Sequence, residues 1–210
     1  MRSVLIATPC YGGMVCSEYL ETTHRIRDVR PDAHYDFALL SGESSVDRAR
    51  NTLTATFLDT DYETLAFIDA DIDMSGEDFW HLVDMPYAVR GAAVAMKTPD
   101  HSEALSCWKD GAQVRRAEMP ADPFTVDYLG AAVMMIAREA IVATVHHRDV
   151  KPYDIKGIGI CHSLFAHEVH NDTLLSEDYT FCKRVREMGF QIYCDPSVQV
   201  RHFGRAAWRA

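Results

Sequence analysis

No stretch of this chain is long and apolar enough to cross a bilayer core of roughly 30 Å. The longest apolar run, residues 129–145, is interrupted by Arg138 and Glu139, so no membrane span is expected. The opening residues also lack the apolar region of a secretory signal. Residues 4–7 are too few for one, and Pro9 and Gly12 follow them. No CxxC spacing occurs among the six cysteines, Cys10, Cys16, Cys107, Cys161, Cys182 and Cys194. That scatter points to reduced thiols and a cytoplasmic location. Positive charge is scarce: 21 Lys and Arg stand against 31 Asp and Glu, a formal net charge of −10. Such a molecule repels polyanions, which argues against nonspecific nucleic-acid binding; Arg201, Arg205 and Arg209 form the one concentrated basic candidate. Internal repeats and low-complexity linkers are missing too. A composition of 48% hydrophobic and 25% charged over 210 residues is that of one globular domain and excludes disorder, collagen and coiled coil.

What is present is an alternation of short β-branched apolar runs with longer amphipathic segments. It predicts an α/β fold with a central, mainly parallel mixed sheet flanked by helices. Strands are expected at residues 3–8, 35–40 and 64–68, and helices at about 14–27, 45–59 and 75–83. The last of these is capped by Ser75, with Glu77 and Asp78 in its first turn. The second half is less regular. Strands lie within 87–96 and 124–137, separated by a polar loop at 97–123, and a helix runs from about 138 to His146 and His147. Residues 151–171, with Gly157, Gly159 and several histidines, lack periodicity and predict a mobile loop. A helix starts at Ser176 and meets its left-handed C-cap at Gly189, and two short strands follow at 191–194 and 197–202.

Chemistry concentrates in the string Leu65-Ala-Phe-Ile-Asp69-Ala-Asp71-Ile-Asp73. Four apolar residues followed by acids put carboxylates at the carboxyl end of a buried strand, where open α/β sheets bind ligands. Acids at i and i+2 on a turning backbone can share a divalent cation. The plain alternative is a strand leaving the core into a polar loop, but clustering three acids there without a cation is costly. A second cluster, Ser176-Glu177-Asp178, is equally explained as first-turn residues stabilised by the helix dipole. His202 follows an alternating strand near the C-terminus, where a histidine is ordinarily a surface or satisfied core residue.

Taken in this order, these elements resemble the GT-A glycosyltransferases, especially the family-2-like branch of bacteria and phages, over nearly the whole chain. Ile6-Ala-Thr-Pro-Cys-Tyr-Gly12 resembles the nucleotide-binding first strand and turn, and Asp69-Ala-Asp71 the DxD motif. Tyr128-Leu-Gly-Ala-Ala132 resembles the glycine-containing acceptor loop, with the single Gly130 where relatives often have two. Ser176-Glu-Asp178 resembles the xED motif and His202 the C-terminal metal-binding histidine.

The resemblance implies one GT-A domain over residues 1–210, with a nucleotide-binding half at 1–100 and an acceptor-binding half at 101–210. Its reaction would be metal-dependent transfer of a sugar from a nucleoside diphosphate sugar, uridine diphosphate first among the candidates, to a hydroxyl acceptor. That acceptor would be a glycan, a small molecule or a modified nucleobase in DNA. Thr8, Pro9, Tyr11, Arg50, Asn51, Asp69 and Ala70 would meet the nucleotide. Asp71, Asp69 and His202 would hold Mn²⁺ or Mg²⁺, the imidazole leaning toward Mn²⁺. Gly130 and Glu177 would bind sugar or acceptor, and Asp178, with Glu177 beside it, would act on the acceptor hydroxyl. Inverting and retaining outcomes both stay open.

Three other readings compete. Phe67-Ile-Asp69-Ala-Asp71 also resembles the nucleophile strand of haloacid-dehalogenase-like Mg²⁺-dependent phosphatases. A catalytically silent nucleotide-sugar-binding domain would have lost one of the acids, and all are present. A zinc site is suggested by His162, His167 and His170 near Cys161, in a spacing that does not match four closed ligands.

Overall fold

The computed structural model describes residues 2–97 and 104–204; Arg205 and Arg209 lie outside them. The first half follows the expected alternation: β1 (Val4–Cys10), α1 (Ser17–Val29), β2 (Tyr35–Ser41), α2 (Val46–Leu58), β3 (Thr64–Ile68), β4 (Ile72–Met74), α3 (Gly76–Asp84) and β5 (Val89–Gly91). The second half contains β6 (Ala104–Lys109), β7 (Ala112–Arg115), β8 (Phe124–Val126), β9 (Tyr128–Leu129), β10 (Val133–Ala137) and α4 (Arg138–Val145). After these come β11 (Pro152–Ile155), β12 (Gly159–His162), β13 (Glu168–His170), β14 (Thr173–Leu175), α5 (Glu177–Glu187), β15 (Ile192–Cys194) and β16 (Val200–His202).

Seven strands make the central sheet in the order β2-β1-β3-β10-β5-β15-β8. β1 pairs in parallel with β2 and β3, and β15 pairs in parallel with β5, whereas β10 and β8 run against their neighbours. The mainly parallel mixed sheet flanked by helices is therefore observed. Because β10 inserts between β3 and β5, strands from both halves of the chain build one sheet.

The central strands β1, β3 and β10 are buried on both faces, as their unbroken apolar runs require, while the edge strand β2 is partly exposed. Side chains alternate along each strand. Leu5, Leu65, Phe67, Met134 and Ile136 face a core with Leu53 and Phe57 of α2, Ile141 of α4 and Phe181 of α5. Val4, Ile6, Ala66, Ile68 and Met135 face the other core, with Ile26 of α1 and Phe79 and Trp80 of α3. Three helices thus cover one face and two the other. Phe165 stacks on Phe181 and meets the edge of Phe67, fixing α5 over the sheet centre.

Several boundaries differ from expectation for local reasons. The first helix begins at Ser17, not Met14, because Gly12 and Gly13 take positive φ (74° and 69°) in a 3-10 turn that cannot lead into α-helix. Its cap is Cys16, whose sulfur accepts from the Tyr19 amide at 3.3 Å. The polar segment 97–123 carries the β6–β7 hairpin, and β6 also pairs with β9. The segment expected to be a mobile loop, 151–171, instead contains the β11–β12 hairpin and the first strand of β13–β14. It buries Cys161, Leu164 and Phe165. These strands are three or four residues long, too short for a period-2 pattern to show.

Candidate active site

β3 delivers Asp69 and Asp71 to the carboxyl end of the sheet, and three backbone bonds fix the turn they occupy. The Asp69 amide donates to the Ala132 carbonyl (3.0 Å), the Cys16 amide to the Ala70 carbonyl (2.9 Å) and the Phe203 amide to the Asp71 carbonyl (2.9 Å). The chain returns along β4, and β16 pairs antiparallel with it in a register that sets Arg201 opposite Asp73 and His202 opposite Ile72. Asp73 is buried at 4% exposure and takes Arg25 (2.5 Å) and Arg201 (2.6 Å) as partners. The third acid of the string therefore clamps α1 and the C-terminal strand together and does not face the cavity. That clamp brings His202 beside Asp71.

His202 Nδ1 lies 2.9 Å from the Ala95 carbonyl, and Nε2 lies 3.4 Å from Asp71 Oδ1. With Nδ1–H donating to Ala95, Nε2 faces Asp71: protonated, it donates to the carboxylate, and deprotonated, it offers its lone pair to a cation beside Asp71, the arrangement that prepares a histidine to ligate. Burial opposes charge on both groups, but their mutual hydrogen bond and the Lys97 ammonium outweigh it at Asp71, whose pKa falls to about 2. At His202, burial is likewise outweighed by the bond to Asp71, and its pKa is raised. Lys97 Nζ hydrogen-bonds Asp71 Oδ2.

Asp69 does not join this pair. Both its oxygens accept from Arg50 Nη2, at 3.0 and 3.2 Å. Arg50 Nε donates to Glu177 at 3.3 Å and Nη1 to the Ala131 carbonyl at 3.3 Å. This guanidinium on α2 is nearly inaccessible and ties the end of β3 to the start of α5. Burial raises the pKa of Asp69 and of Glu177, with Arg50 opposing in each case and neighbouring Asp178 adding to the rise at Glu177. Asp178 accepts from the Ser176 hydroxyl, from its neighbour Tyr179 N (2.8 Å) and from Ala131 N (3.3 Å). Gly130 is where the chain lies flush on Ser106: a Cβ there would sit 2.7 Å from that side chain.

Two adjoining cavities share Val46, Asp69 and Lys97. The larger, about 610 Å³, runs past Pro9, Tyr11, Met14, Glu43 and Asp71. The smaller, about 320 Å³, is lined by Arg50, Gly130, Glu177, Asp178 and His202. Tyr11 and Met14 are exposed at 77% and 63%, an apolar platform on the wall of the larger cavity.

The predicted site residues therefore separate. Pro9, Tyr11, Asp69, Ala70 and Asp71 converge on the larger cavity, and Gly130, Glu177, Asp178 and His202 on the smaller. Thr8 does not reach either, because its hydroxyl is buried against the Tyr19 hydroxyl at 2.6 Å. Asn51 is turned away as well: its amide donates to the Phe165 carbonyl (2.8 Å) and accepts the Phe165 amide (2.9 Å). Lys97, which the sequence offered only as a loosely compatible downstream lysine of the phosphatase reading, is the residue that the glycosyltransferase resemblance did not place here. Its partner is 26 positions away, and no local pattern marks it.

The donor chemistry at Asp71 and His202, one carboxylate and one oriented imidazole, fits a divalent cation such as Mn²⁺. Among the described residues, the one set of three potential ligands within 4.8 Å of one another lies elsewhere, at His147, Asp149 and Glu187. There the Asp149 amide donates to His147 Nδ1 (3.2 Å) and His147 Nε2 faces Glu187 (2.6 Å). Both ring nitrogens are thus committed to the α4–α5 corner and no lone pair is left for a metal. Cys161, His162, His167 and His170 make no such set among the described residues. The phosphatase reading needs Asp69 as a free nucleophile, and Arg50 holds both of its oxygens.

No protein-family profile matches the sequence, and no curated protein matches it. Solved structures do. A197 from STIV aligns with a TM-score of 0.60 and 20% identity, covering 97% of this chain and 86% of that one. A mutant of Drosophila β1,4-galactosyltransferase 7, solved in complex with manganese, UDP-Gal and xylobiose, aligns with a TM-score of 0.52 and 11% identity. It covers 98% of this chain and 72% of the other. At these identities the likeness is one of architecture: this chain has the GT-A fold.

Proposed function

We propose that the protein is a divalent-cation-dependent glycosyltransferase that moves a sugar from a nucleoside diphosphate sugar, a UDP-sugar first, to a hydroxyl acceptor. One observation carries this reading. Asp71 and an oriented His202 meet where a cavity with an exposed aromatic wall joins a cavity floored by Glu177 and Asp178. The galactosyltransferase of the same fold, bound to manganese and UDP-Gal, supports it. Tyr11 and Pro9 would flank the base, and Ala70 would pass beneath the ribose. Asp71 and His202 would hold Mn²⁺ or Mg²⁺, with Asp69 kept in place by Arg50 and contacting ribose or a metal-bound water. When bound, the cation neutralises the diphosphate and the charge that develops on it.

In an inverting transfer, Asp178 takes the acceptor hydroxyl proton as that oxygen bonds to the anomeric carbon. The bond from the anomeric carbon to the diphosphate oxygen breaks, and its electron pair leaves with the nucleotide. Glu177 holds donor sugar hydroxyls, its own position set by Arg50. The Ser176 hydroxyl and the Tyr179 and Ala131 amides hold the Asp178 carboxylate in one orientation, which reduces what must be ordered on reaching the transition state. The acceptor is a glycan end or small molecule. The six free cysteines suit a reducing, cytoplasmic compartment, and no helix among the described residues is long and apolar enough to cross a membrane.

The test is a thermal shift with UDP and a panel of nucleotide sugars, with Mn²⁺ or with excess chelator. Ligand at 100 times its dissociation constant adds about 2.7 kcal/mol, and this gain is expected only with the cation. Equal stabilisation in chelator removes the metal-bridged donor, and no response to any nucleotide removes the glycosyltransferase reading.

A further inference from the structure

Lys97 is bonded to one oxygen of Asp71 while His202 faces the other. Its side chain lines both cavities, and its aliphatic part packs against the backbone of Gly204, where a Cβ would approach it to 3.2 Å. One carboxylate is thus shared between an internal ammonium and the imidazole that would hold a cation with it. An ammonium and a divalent ion on the same carboxylate repel each other, so the two compete for Asp71. A lysine stem is flexible, and its charged end can move by several ångströms at low cost. The nearest place for it to go is the junction of the two cavities, which on the glycosyltransferase reading holds the donor diphosphate.

We propose that Lys97 is an exchangeable internal counter-ion: it occupies Asp71 against the divalent cation and passes to the diphosphate when the nucleotide sugar enters. This rests on the proposed donor site. Cation alone then binds weakly, cation and nucleotide reinforce each other, and the ammonium that leaves Asp71 adds a second positive contact to the departing diphosphate. No bond other than hydrogen bonds and ion pairs is made or broken.

The two halves of the exchange predict opposite signs, which separates it from a structural role. Lys97 is 39% exposed in its side chain, so its replacement should leave the fold intact. Lys97→Met is expected to bind Mn²⁺ alone about three- to ten-fold more tightly than the wild type, since a competing exposed ion pair and a like charge are both removed. With Mn²⁺ saturating, the same variant should bind UDP about ten-fold more weakly, through loss of a charge-assisted contact. Lys97→Arg restores the charge and should return both affinities toward the wild type. Electron paramagnetic resonance of free Mn²⁺ measures the first quantity and titration calorimetry the second. If the wild type binds Mn²⁺ and UDP but Lys97→Met leaves either affinity unchanged, or shifts both the same way, the exchange is wrong and the glycosyltransferase reading stands. If the wild type binds neither Mn²⁺ nor UDP, both fall.

Discussion

Asn51 and Asp178 are both short polar side chains near the site, yet their partners assign them different work. Asn51 is nearly fully buried, and both ends of its amide are spent on the backbone of Phe165. Asn51→Ala leaves a buried N–H and a buried C=O without partners, a cost of about 1–3 kcal/mol each. Chemical denaturation should show the loss, while the folded fraction keeps its donor affinity. A selective fall in donor affinity at unchanged stability would restore the nucleotide contact implied by the sequence motif. Asp178 instead opens onto the smaller cavity. Asp178→Asn keeps the size and loses the capacity to take a proton, so turnover should drop about 10² to 10⁴-fold with donor affinity held within a few-fold. Calorimetry beside a turnover assay separates these effects. Turnover surviving within about tenfold would mean a retaining course or a base elsewhere.

At the level of elements, α5 holds down the segment in front of it. Lys183 donates to Glu168 at 2.8 Å and Arg184 reaches the other oxygen at 3.1 Å, while Arg184 also bonds the carbonyls of Ser163 and Leu164. The β13–β14 hairpin and the stretch before it are therefore fastened to the helix that begins with Glu177 and Asp178. The hydrogen bond from Lys183 holds the Glu168 carboxyl below its ordinary value of 4.5, its charge and that of Arg184 adding to the effect against burial. A depressed carboxyl pKa contributes stability that is fully present above the unfolded value and is lost as pH falls through the folded one. Glu168→Gln should therefore cost about 1 kcal/mol at neutral pH and show a shallower loss of stability below about pH 4.5 than the wild type. Urea midpoints measured from pH 7 down to pH 3 check this, and parallel curves for the two proteins would place the acid sensitivity in another pair.

Across the whole molecule, Arg50 is the member that connects the two motif regions. It reaches from α2 to Asp69 at the end of β3 and to Glu177 at the start of α5, with its guanidinium carbon 5.1 Å from the centre of the Phe67 ring. Removing it leaves Asp69 and Glu177 without the cation they share, with Glu177 nearly buried and Asp178 beside it. Breaking a buried pair on one side costs about 3–5 kcal/mol, so Arg50→Ala should lower the melting temperature sharply. Divalent cation should recover part of the loss by drawing Asp69 into its sphere. If the variant melts like the wild type, the three-residue bridge contributes little and the two regions are held by the apolar core alone.

The two-faced apolar runs of β1, β3 and β10, and the acids that end β3, were legible from residue order, because a strand buried on both sides needs such a run and its polar continuation must lie at the sheet edge. Ser75 as a helix cap and Gly189 as a terminator were legible too, since each acts within one turn of its own position. Tertiary structure decided the rest. Thr8 and Asn51 stand in the motif positions, yet their hydrogen bonds to Tyr19 and Phe165 take them out of the cavity. Asp73 belongs to a run of alternating acids, but its register against Arg201 makes it a clamp. Lys97 has no motif, and it meets Asp71 because β5 and β3 flank the same strand, β10, of the sheet. Patterns of period two and 3.6 encode which face a side chain takes; which partner waits on that face is set by strand order, and strand order is written in the packing of the whole chain.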